Sequence, residues 1–388
     1  MVYCKVLGHT KNQKRQASMN CKLSHHWNTI QATLFPILEE ILPPITKMHK
    51  RLVTVLEFTC VEKFVRCYRG LVGAPACDRS AIARAFIAKK IYNIETNKHL
   101  IDRLRCDRVM RQLCGWERMS QIPSESTFSR AFRDFAKHEL PMVLHEIFEK
   151  EHHSDRLVGH ISRDATSITA REKAMKKQEE AKSQKEKKKR GRPKKGEQKT
   201  EEPKPVEITR LARQLNLSLK EMLADLPKKC DVGTKRDSKG YKMSWKGYKL
   251  HIDTADGDIP ISAVLTSAST HDSQAAIPLA TLTNERVTNC YDLMDAAYDA
   301  QGIRDHSASL GHVALIDFNH RTPKDIREFL LHEAERYKER SSAERVNSQL
   351  KDNYGARMIR VRGDKKVFAE LMFGLLAITV EQTLRLLT

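Results

Sequence analysis

Two aspartates and a glutamate occupy positions where α/β proteins place catalytic groups. Asp164 lies just after the apolar run LVGHIS, Asp295 follows CYDLM, and Glu344 lies on a helical segment further along. Strand ends in an open sheet face the crevice where ligands bind, so we predict that both aspartates end strands and that the three acids converge. Converging carboxylates repel one another, and hard Mg²⁺, which prefers oxygen ligands, offsets that repulsion. Two such ions about 4 Å apart would hold the attacking and the leaving oxygen of a phosphoryl transfer.

Each of these acids also has an ordinary structural interpretation. Aspartates at strand ends most often form turns or cap helices. Glu344 follows Ser341 by three residues, which is the spacing of a capping box at the start of a helix. The residues alone leave both interpretations open.

The segment around Glu344 carries a second pattern. Tyr337, Arg340, Glu344 and Lys351 stand at offsets of 0, 3, 7 and 14 residues. At roughly 100° per residue, a continuous helix would place all four on one stripe about 21 Å long. A carboxylate flanked by two cations and a phenol suits a face that meets a metal and phosphates together. A solvated pair between Arg340 and Glu344 at i,i+4 is the alternative.

The charge of the chain indicates a polyanionic partner. The 388 residues include 69 basic and 49 acidic side chains, which gives a net charge of +20. Residues 171–200 contain 14 basic and 5 acidic residues, so they contribute +9 of that excess and the rest of the chain +11. Nucleic acid is the partner that such basicity favours, with a membrane surface or plain solubility as alternatives.

The run KKKRGRPKKG, residues 187–196, lies between the first two candidate catalytic aspartates. Arg190 and Arg192 in an extended Arg-Gly-Arg-Pro core suit an A·T-rich minor groove. A nonspecific phosphate clamp, whose binding weakens steeply with salt, is the other interpretation, and a solvated loop is the third.

The cysteines and the apolar runs indicate the compartment. Nine cysteines, with no pair spaced C-x-x-C, are typical of buried free thiols in a reducing compartment. No apolar run approaches the roughly 20 residues of a membrane span, and the first residues lack a secretory signal. We therefore predict a cytoplasmic, nucleoid-associated protein with no membrane partner.

The first 150 residues have helical patterns. We predict a helical segment over residues 1–77 and a helix-turn-helix-like DNA-binding domain over residues 78–150. Its last basic helix begins near Pro123–Ser124 and turns Phe128, Phe132 and Phe135 inward, which leaves Arg130 and Arg133 outward for DNA. A small bundle with a merely solvated charged face is the alternative.

Residues 151–388 alternate strand and helix patterns. YKLHIDTADGDIPISAVLTSAS predicts a hairpin turning at Asp256–Gly257, CYDLMD and HVALIDF predict further strands, and helices follow from Thr322. This order predicts an α/β domain with a mixed sheet flanked by helices, preceded by the all-α region. The basic stretch forms an insertion within it, at about residues 171–240.

These motifs together resemble a known family. The pattern Tyr337-x2-Arg340-x3-Glu344-x6-Lys351 resembles the Tyr-Arg-Glu-Lys signature of insertion-sequence DDE transposases. SRDATSI around Asp164 and LMDAAYDAQGIRD around Asp295 are similar to the family's two aspartate motifs. The hairpin stretch and PSESTFSRAF extend the likeness over roughly residues 78–380.

The resemblance implies a ribonuclease H-like catalytic domain. Asp164, Asp295 and Glu344 would be both the catalytic residues and the ligands of two Mg²⁺ ions, with Mn²⁺ as an alternative. Tyr337, Arg340 and Lys351 would contact phosphates near the transposon end. His271 and Asp272 also match a family pattern, without a firm role. Some relatives insert a β-rich subdomain and a tryptophan between the second aspartate and the glutamate, which this chain lacks.

The function that follows is transposition of an insertion sequence. The protein would bind the terminal inverted repeats of double-stranded DNA, free a 3′ hydroxyl by metal-dependent cleavage and join it to target DNA. Pairing of two ends implies a homodimer or a larger assembly. The alternative is a non-catalytic DNA-binding protein that uses only the basic run and the helical N-terminal region.

Overall fold

The computed structural model describes residues 45–65, 77–175, 209–236, 239–318 and 329–387. The chain divides into two compact units, Met1–Lys50 and Arg51–Thr388. Most of the predicted segment 1–77, as well as Arg190 and Arg192, lies outside the described residues. All cysteines that the structure describes are free thiols; Cys114 and Cys230 are buried as predicted, whereas Cys77 and Cys106 are exposed.

Helices are the only regular elements in the described residues before residue 154. Thr96 accepts a hydrogen bond from the amide of His99 and so begins one helix, as its side-chain type favours. Gly115, at φ +106°, ends another in the left-handed region. The helices are α1 (Lys47–Thr59), α2 (Arg79–Ile91), α3 (Asn97–Cys106), α4 (Arg108–Cys114), α5 (Glu125–Lys137) and α6 (Leu140–His153).

An aromatic cluster holds this helical region together. The predicted inward phenylalanines of α5 are buried and pack around Phe86 of α2, while Arg130 and Arg133 are exposed, as predicted. Phe86 also stacks on Phe373 from the last helix of the chain, with ring centroids 6.1 Å apart. Aromatic pairs at this separation add to the free energy of burial, so the helical region and the C-terminal helix share one core.

The rest of the chain forms a mixed sheet with helices on its faces. Its order is β2-β3-β1-β5-β6, with β4 paired to β3 and β7 paired to β1. β1, β5 and β6 run parallel, whereas β3 is antiparallel to β1, β2 and β4. The strands are β1 (Leu157–Ala170), β2 (Asp231–Arg236), β3 (Lys242–Ala255), β4 (Ile259–Ser267), β5 (Thr288–Met294), β6 (Val313–Ile316) and β7 (Met358–Ile359). The predicted hairpin at Asp256–Gly257 joins β3 and β4.

The prediction that Asp164 ends its strand is wrong. β1 continues to Ala170 because residues 161–169 pair with the long antiparallel strand β3. The parallel pairing of β1 with β5, however, stops at Arg163 opposite Met294. Asp164 is therefore the first residue beyond the parallel pairing, inside a strand that continues.

Short and long helices cover the sheet. α9 packs against β3 and β4, and α12 packs against β1 and β3. Two short helices, α7 and α8, fold onto α9 from within the predicted insertion. The helices are α7 (Arg210–Gln214), α8 (Leu219–Asp225), α9 (Ser273–Asn284), α10 (Gln301–Ser309), α11 (Leu331–Lys338), α12 (Ser341–Asn353) and α13 (Asp364–Leu387).

α13 corrects the prediction about apolar runs. It is long and apolar enough to cross a membrane by length and composition, and 83% of its apolar window is buried inside the protein. It contacts α2, α5, α6, α12 and β4. Burial against these five elements makes it a helix of the protein core.

One glycine fixes where β3 begins to pair with β1. Gly247 has φ +153°, and a Cβ there would overlap the backbone carbonyl of Ile168 on β1. Backbone atoms cannot move aside as a flexible side chain can. We expect Gly247→Ala to lower the free energy of unfolding by about 1–3 kcal/mol, the usual cost of an overpacked site. Urea denaturation measures it, with Gly302→Ala on α10 as control, where the nearest atom is 3.9 Å away. Equal midpoints for both variants would contradict the prediction.

Candidate active site

Asp164 and Asp295 lie side by side where the parallel pairing of β1 and β5 ends. The last pair is Arg163 and Met294, so the next residue of each strand is an aspartate. Asp295 caps a short 3₁₀ helix, Ala296–Tyr298, and accepts a hydrogen bond of 3.0 Å from the amide of Ala297. The sequence predicted this neighbourhood and correctly placed Asp295 at the end of β5, but it wrongly placed Asp164 at the end of β1.

The two aspartates occupy a poorly solvated site. Burial, together with the negative charge of Asp295, raises the pKa of Asp164 from 3.8 to about 6. A hydrogen bond of 2.9 Å from the side-chain amide of Asn347 to Asp164 opposes that shift. Burial also raises the pKa of Asp295, and the charge of Asp272 adds to the effect. This is the electrostatic situation that a cation would relieve.

Glu344 lies in the first turn of α12 and forms an ion pair with the side chain of Arg340. Its carboxylate accepts a hydrogen bond of 2.6 Å from the guanidinium of Arg340, the i,i+4 pair that the spacing allowed. The capping-box alternative is wrong, because the hydroxyl of Ser341 donates to the carbonyl of Lys338. Arg340 stands at the cap position without a side-chain cap bond.

The three predicted ligands do not form a closed metal cluster in this structure. Among the described residues, no group of three His, Cys, Asp or Glu side chains is arranged to hold a metal ion. Asp164 and Asp295 are adjacent and both offer carboxylate oxygens, so this pair of side chains suits a divalent cation. Arg340, whose charge lowers the pKa of both aspartates, lies among the carboxylates and holds Glu344 as its ion-pair partner.

Tyr337 and Arg340 are on different helices, which corrects the prediction of one continuous stripe. α11 ends at Lys338 and α12 begins at Ser341. The hydroxyl of Tyr337 donates a hydrogen bond of 3.1 Å to the carbonyl of Met294, the residue before Asp295. Its ring packs on Phe329 at 4.9 Å, and burial raises its pKa to about 12. Tyr337 therefore fastens the end of α11 to the end of β5.

Lys351 lies in the last turn of α12, within electrostatic range of Asp164. Burial lowers its pKa, the nearby charge of Lys235 lowers it further, and the charge of Asp164 opposes both effects. This partly buried ammonium lies within electrostatic range of Asp164 and of a lysine on strand β2.

The sequence analysis assigned no role to two side chains that border the aspartates. Asp317 follows β6 one position beyond Ile316, which pairs with Met294, so it continues the row of Asp164 and Asp295. The acid that ends HVALID was the available signal. The hydroxyl of Tyr298 is buried without a hydrogen-bond partner, and Asp272, Asp164 and Asp295 raise its pKa after burial.

A buried ion pair lies on the face of β1 opposite to Asp164. Arg163 points to the opposite face of β1 and donates two hydrogen bonds, of 2.8 and 2.7 Å, to the carboxylate of Asp253 on β3. Thr283 of α9 donates to the same carboxylate at 2.6 Å. Both charged side chains are at most 1% exposed, so the strand that carries Asp164 is fixed by a network with little access to water.

Comparison with known protein families places these residues in context. Residues 225–380 match the family model described as "Transposase DDE domain", which includes Asp295 and Glu344 but begins after Asp164. Residues 37–134 match the model described as "Transposase domain (DUF772)", which includes Arg130 and Arg133. No curated protein and no solved structure matches the chain. The two family matches support an insertion-sequence transposase that carries a DDE domain.

Proposed function

We propose that this chain binds the terminal inverted repeats of an insertion sequence, cleaves the DNA strand there and transfers the freed 3′ end to target DNA. The observation that carries the proposal is the adjacency of Asp164 and Asp295 beyond the last parallel pair of β1 and β5, in a chain that matches transposase domains. A mixed sheet with acids at its parallel edge and helices on its faces supports a ribonuclease H-like catalytic domain.

Asp164 and Asp295 would hold Mg²⁺ or Mn²⁺, with Glu344 as the third ligand. The bound ions supply Lewis-acid activation of water or a 3′ hydroxyl and stabilise the charge on the departing oxygen. The protein contributes the alignment of the two aspartates. Asn347 orients Asp164 by donating to its Oδ2, and the amide of Ala297 orients Asp295.

Arg340 and Lys351 would bind the phosphates of the DNA end. Both cations border the acidic pair, since each has an electrostatic interaction with Asp164. A phosphate arriving beside Arg340 competes with Glu344 for the guanidinium and would free that carboxylate for its role as a ligand. Tyr337 would contact the DNA backbone next to its bond to Met294.

Further DNA contacts are proposed outside the catalytic domain. Arg130 and Arg133 are exposed on the basic helix α5, where they would bind DNA through a helix-turn-helix-like unit. Arg190 and Arg192 would add minor-groove or phosphate contacts. Synapsis of two transposon ends would require at least a homodimer on DNA, in the cytoplasm of a prokaryote and associated with its nucleoid.

Asp295→Ala tests the catalytic proposal. Even partners outside the first coordination shell contribute about 10–100-fold to metal sites, so we expect loss of a direct ligand to reduce Mg²⁺-dependent cleavage by at least about 100-fold. The measurement is nicking of a duplex taken from the inverted repeat that flanks the gene. Asp305→Ala, on the exposed surface of α10, is the matched control.

The outcomes separate the catalytic protein from a non-catalytic DNA-binding protein. Equal nicking by Asp295→Ala and wild type would remove Asp295 from the site. Binding of the duplex by wild type without nicking in either Mg²⁺ or Mn²⁺ would favour the non-catalytic alternative.

A further inference from the structure

A two-stranded ribbon projects from the edge of the sheet. β2 pairs with residues 242–247 of β3, whereas β1 pairs with β3 only from Gly247 onward. Residues 231–236 and 242–246 are here called the basic ribbon; apart from Asp231, which pairs with Gly247, they pair only with each other among the described strands. A two-stranded ribbon with no further strand beside it buries little apolar surface and is only marginally stable by itself. Its presence therefore indicates a role other than packing in the core.

The basic ribbon has an excess of exposed cations. Lys235, Arg236, Lys242 and Lys246 are all exposed, and none of the four forms an ion pair with a described residue. Asp231, the one acid among the ribbon residues, accepts a hydrogen bond of 3.0 Å from the amide of Ser269. The cations are left to solvent or to a partner.

Two of these cations face each other directly. Arg236 on β2 is opposite Lys242 on β3 in the strand register. Like charges in directly opposed positions destabilise a strand pair. An anion placed between them would remove the repulsion, and a phosphate of a nucleic-acid backbone is the anion that the proposed function supplies.

The base of the basic ribbon is rigid. The indole of Trp245 packs over Gly233 so closely that a Cβ there would overlap the ring. Its Nε1 donates a hydrogen bond of 3.1 Å to the carbonyl of Tyr248. These two contacts of Trp245 join β2 to β3 at the base of the ribbon and fix the orientation of the ribbon relative to the sheet. A fixed orientation is what a preorganised binding element requires.

The basic ribbon continues the cationic border of the candidate active site. Lys235 interacts electrostatically with Lys351 on α12, and Lys351 in turn with Asp164. A line of positive charge therefore runs from the aspartates to the ribbon. Val232 and Met243, each 52% exposed, add apolar surface beside the cations.

We propose that the basic ribbon binds duplex DNA beside the strand that enters the active site. This inference rests on the proposed function, because it takes DNA as the substrate. A two-stranded β-ribbon fits the major groove, and in this position Arg236 and Lys242 contact backbone phosphates on the same duplex that Lys351 meets at the active site.

The double variant Arg236→Gln/Lys242→Gln tests the proposal. The probe is a fluorescently labelled DNA duplex of arbitrary sequence, and binding is measured by anisotropy over a series of salt concentrations. Each lost phosphate contact lowers the slope of log affinity against log salt by about 1, so we expect a decrease of about 2 in the double variant. Thermal unfolding should show no loss of stability, because the variant removes a repulsion.

The matched control removes two positive charges elsewhere. Arg213→Gln/Lys220→Gln changes exposed residues of α7 and α8, which pack against α9. We expect this control to retain the wild-type slope. A slope that falls equally in both double variants would overturn the proposal, since it would show only an effect of net charge.

Failure of the inference is distinguishable from failure of the proposed function. If wild type binds and nicks DNA, an unchanged slope in the ribbon variant overturns the ribbon proposal alone. A flattened slope together with Mg²⁺-dependent nicking at saturating DNA supports both. A flattened slope in a protein that never nicks supports the ribbon but contradicts catalysis, and absence of DNA binding by wild type overturns both.

Discussion

Asp164→Asn is expected to abolish Mg²⁺-dependent cleavage and, at the same time, to stabilise the metal-free protein. Burial and the neighbouring Asp295 raise the pKa of Asp164 to about 6. The folded protein therefore keeps a carboxylate ionised at neutral pH in a place that disfavours the charge. An asparagine of the same shape removes that cost, and it also removes a proposed metal ligand.

The sign of the pH dependence follows from the raised pKa. Between the ordinary value of 3.8 and about 6, the folded state binds more protons than the unfolded state, so the stability of the wild type falls as pH rises through this window. Above about pH 6 the full cost of the buried charge is present. Raising the pKa of Asp164 from 3.8 to about 6 corresponds to about 3 kcal/mol before screening by solvent. We expect Asp164→Asn to recover about 1–3 kcal/mol at pH 7 and to lack this part of the pH dependence.

Thermal unfolding in the absence and presence of Mg²⁺ measures this prediction. Mg²⁺ at 100 times its dissociation constant stabilises a folded protein by about 2.7 kcal/mol, and only the wild type should show that gain. Asp305→Asn on α10 is the control, with wild-type stability, Mg²⁺ response and cleavage. A destabilised Asp164→Asn protein, or one that Mg²⁺ stabilises as much as wild type, would contradict the assignment.

Asp253→Ala is expected to be among the most destabilising single substitutions in the catalytic domain. It leaves the guanidinium of Arg163 buried without its two hydrogen bonds to a carboxylate. Removing one partner of a buried ion pair typically costs about 3–5 kcal/mol, because the remaining charge stays in a medium of low polarity. Arg163 also directly precedes Asp164, so the loss reaches the strand that carries the site.

A compensating variant separates the buried charge from simple loss of packing. In Arg163→Met/Asp253→Leu neither charge remains, and Thr283 keeps its hydrogen bond of 3.0 Å to the carbonyl of Leu279. We expect this protein to regain most of the stability lost in Asp253→Ala. Urea denaturation measures all three proteins. Glu335→Ala, which removes an exposed partner of Lys338, should cost less than about 1 kcal/mol.

Two results would contradict this view of the pair. One is a cost for Asp253→Ala no greater than that of Glu335→Ala. The other is a double variant that is less stable than Asp253→Ala, because the network would then matter through its hydrogen bonds and shape rather than through an unpaired charge.

Local patterns were sufficient where short-range physics decides the structure. The inward phenylalanines of α5 and the β3–β4 hairpin formed as predicted, and the caps at Thr96 and Gly115 follow from the residue types at those positions. Each depends on side chains and backbone dihedrals within a few residues. The adjacency of Asp164 and Asp295 also followed from the sequence, since parallel strands bring the residues after them to one edge.

Long-range pairing decided what the sequence left open. The length of β1 depends on its antiparallel partner β3, so the apolar run alone ended it too early. The separation of α11 from α12 and the bond of Glu344 to Arg340 likewise depend on tertiary contacts. By itself the sequence predicted which acids would carry the proposed chemistry and that Asp164 and Asp295 lie together. Only the tertiary structure paired Glu344 with Arg340 and placed the opposed cations of the basic ribbon, because a cross-strand neighbour is set by register between segments and not by spacing along the chain.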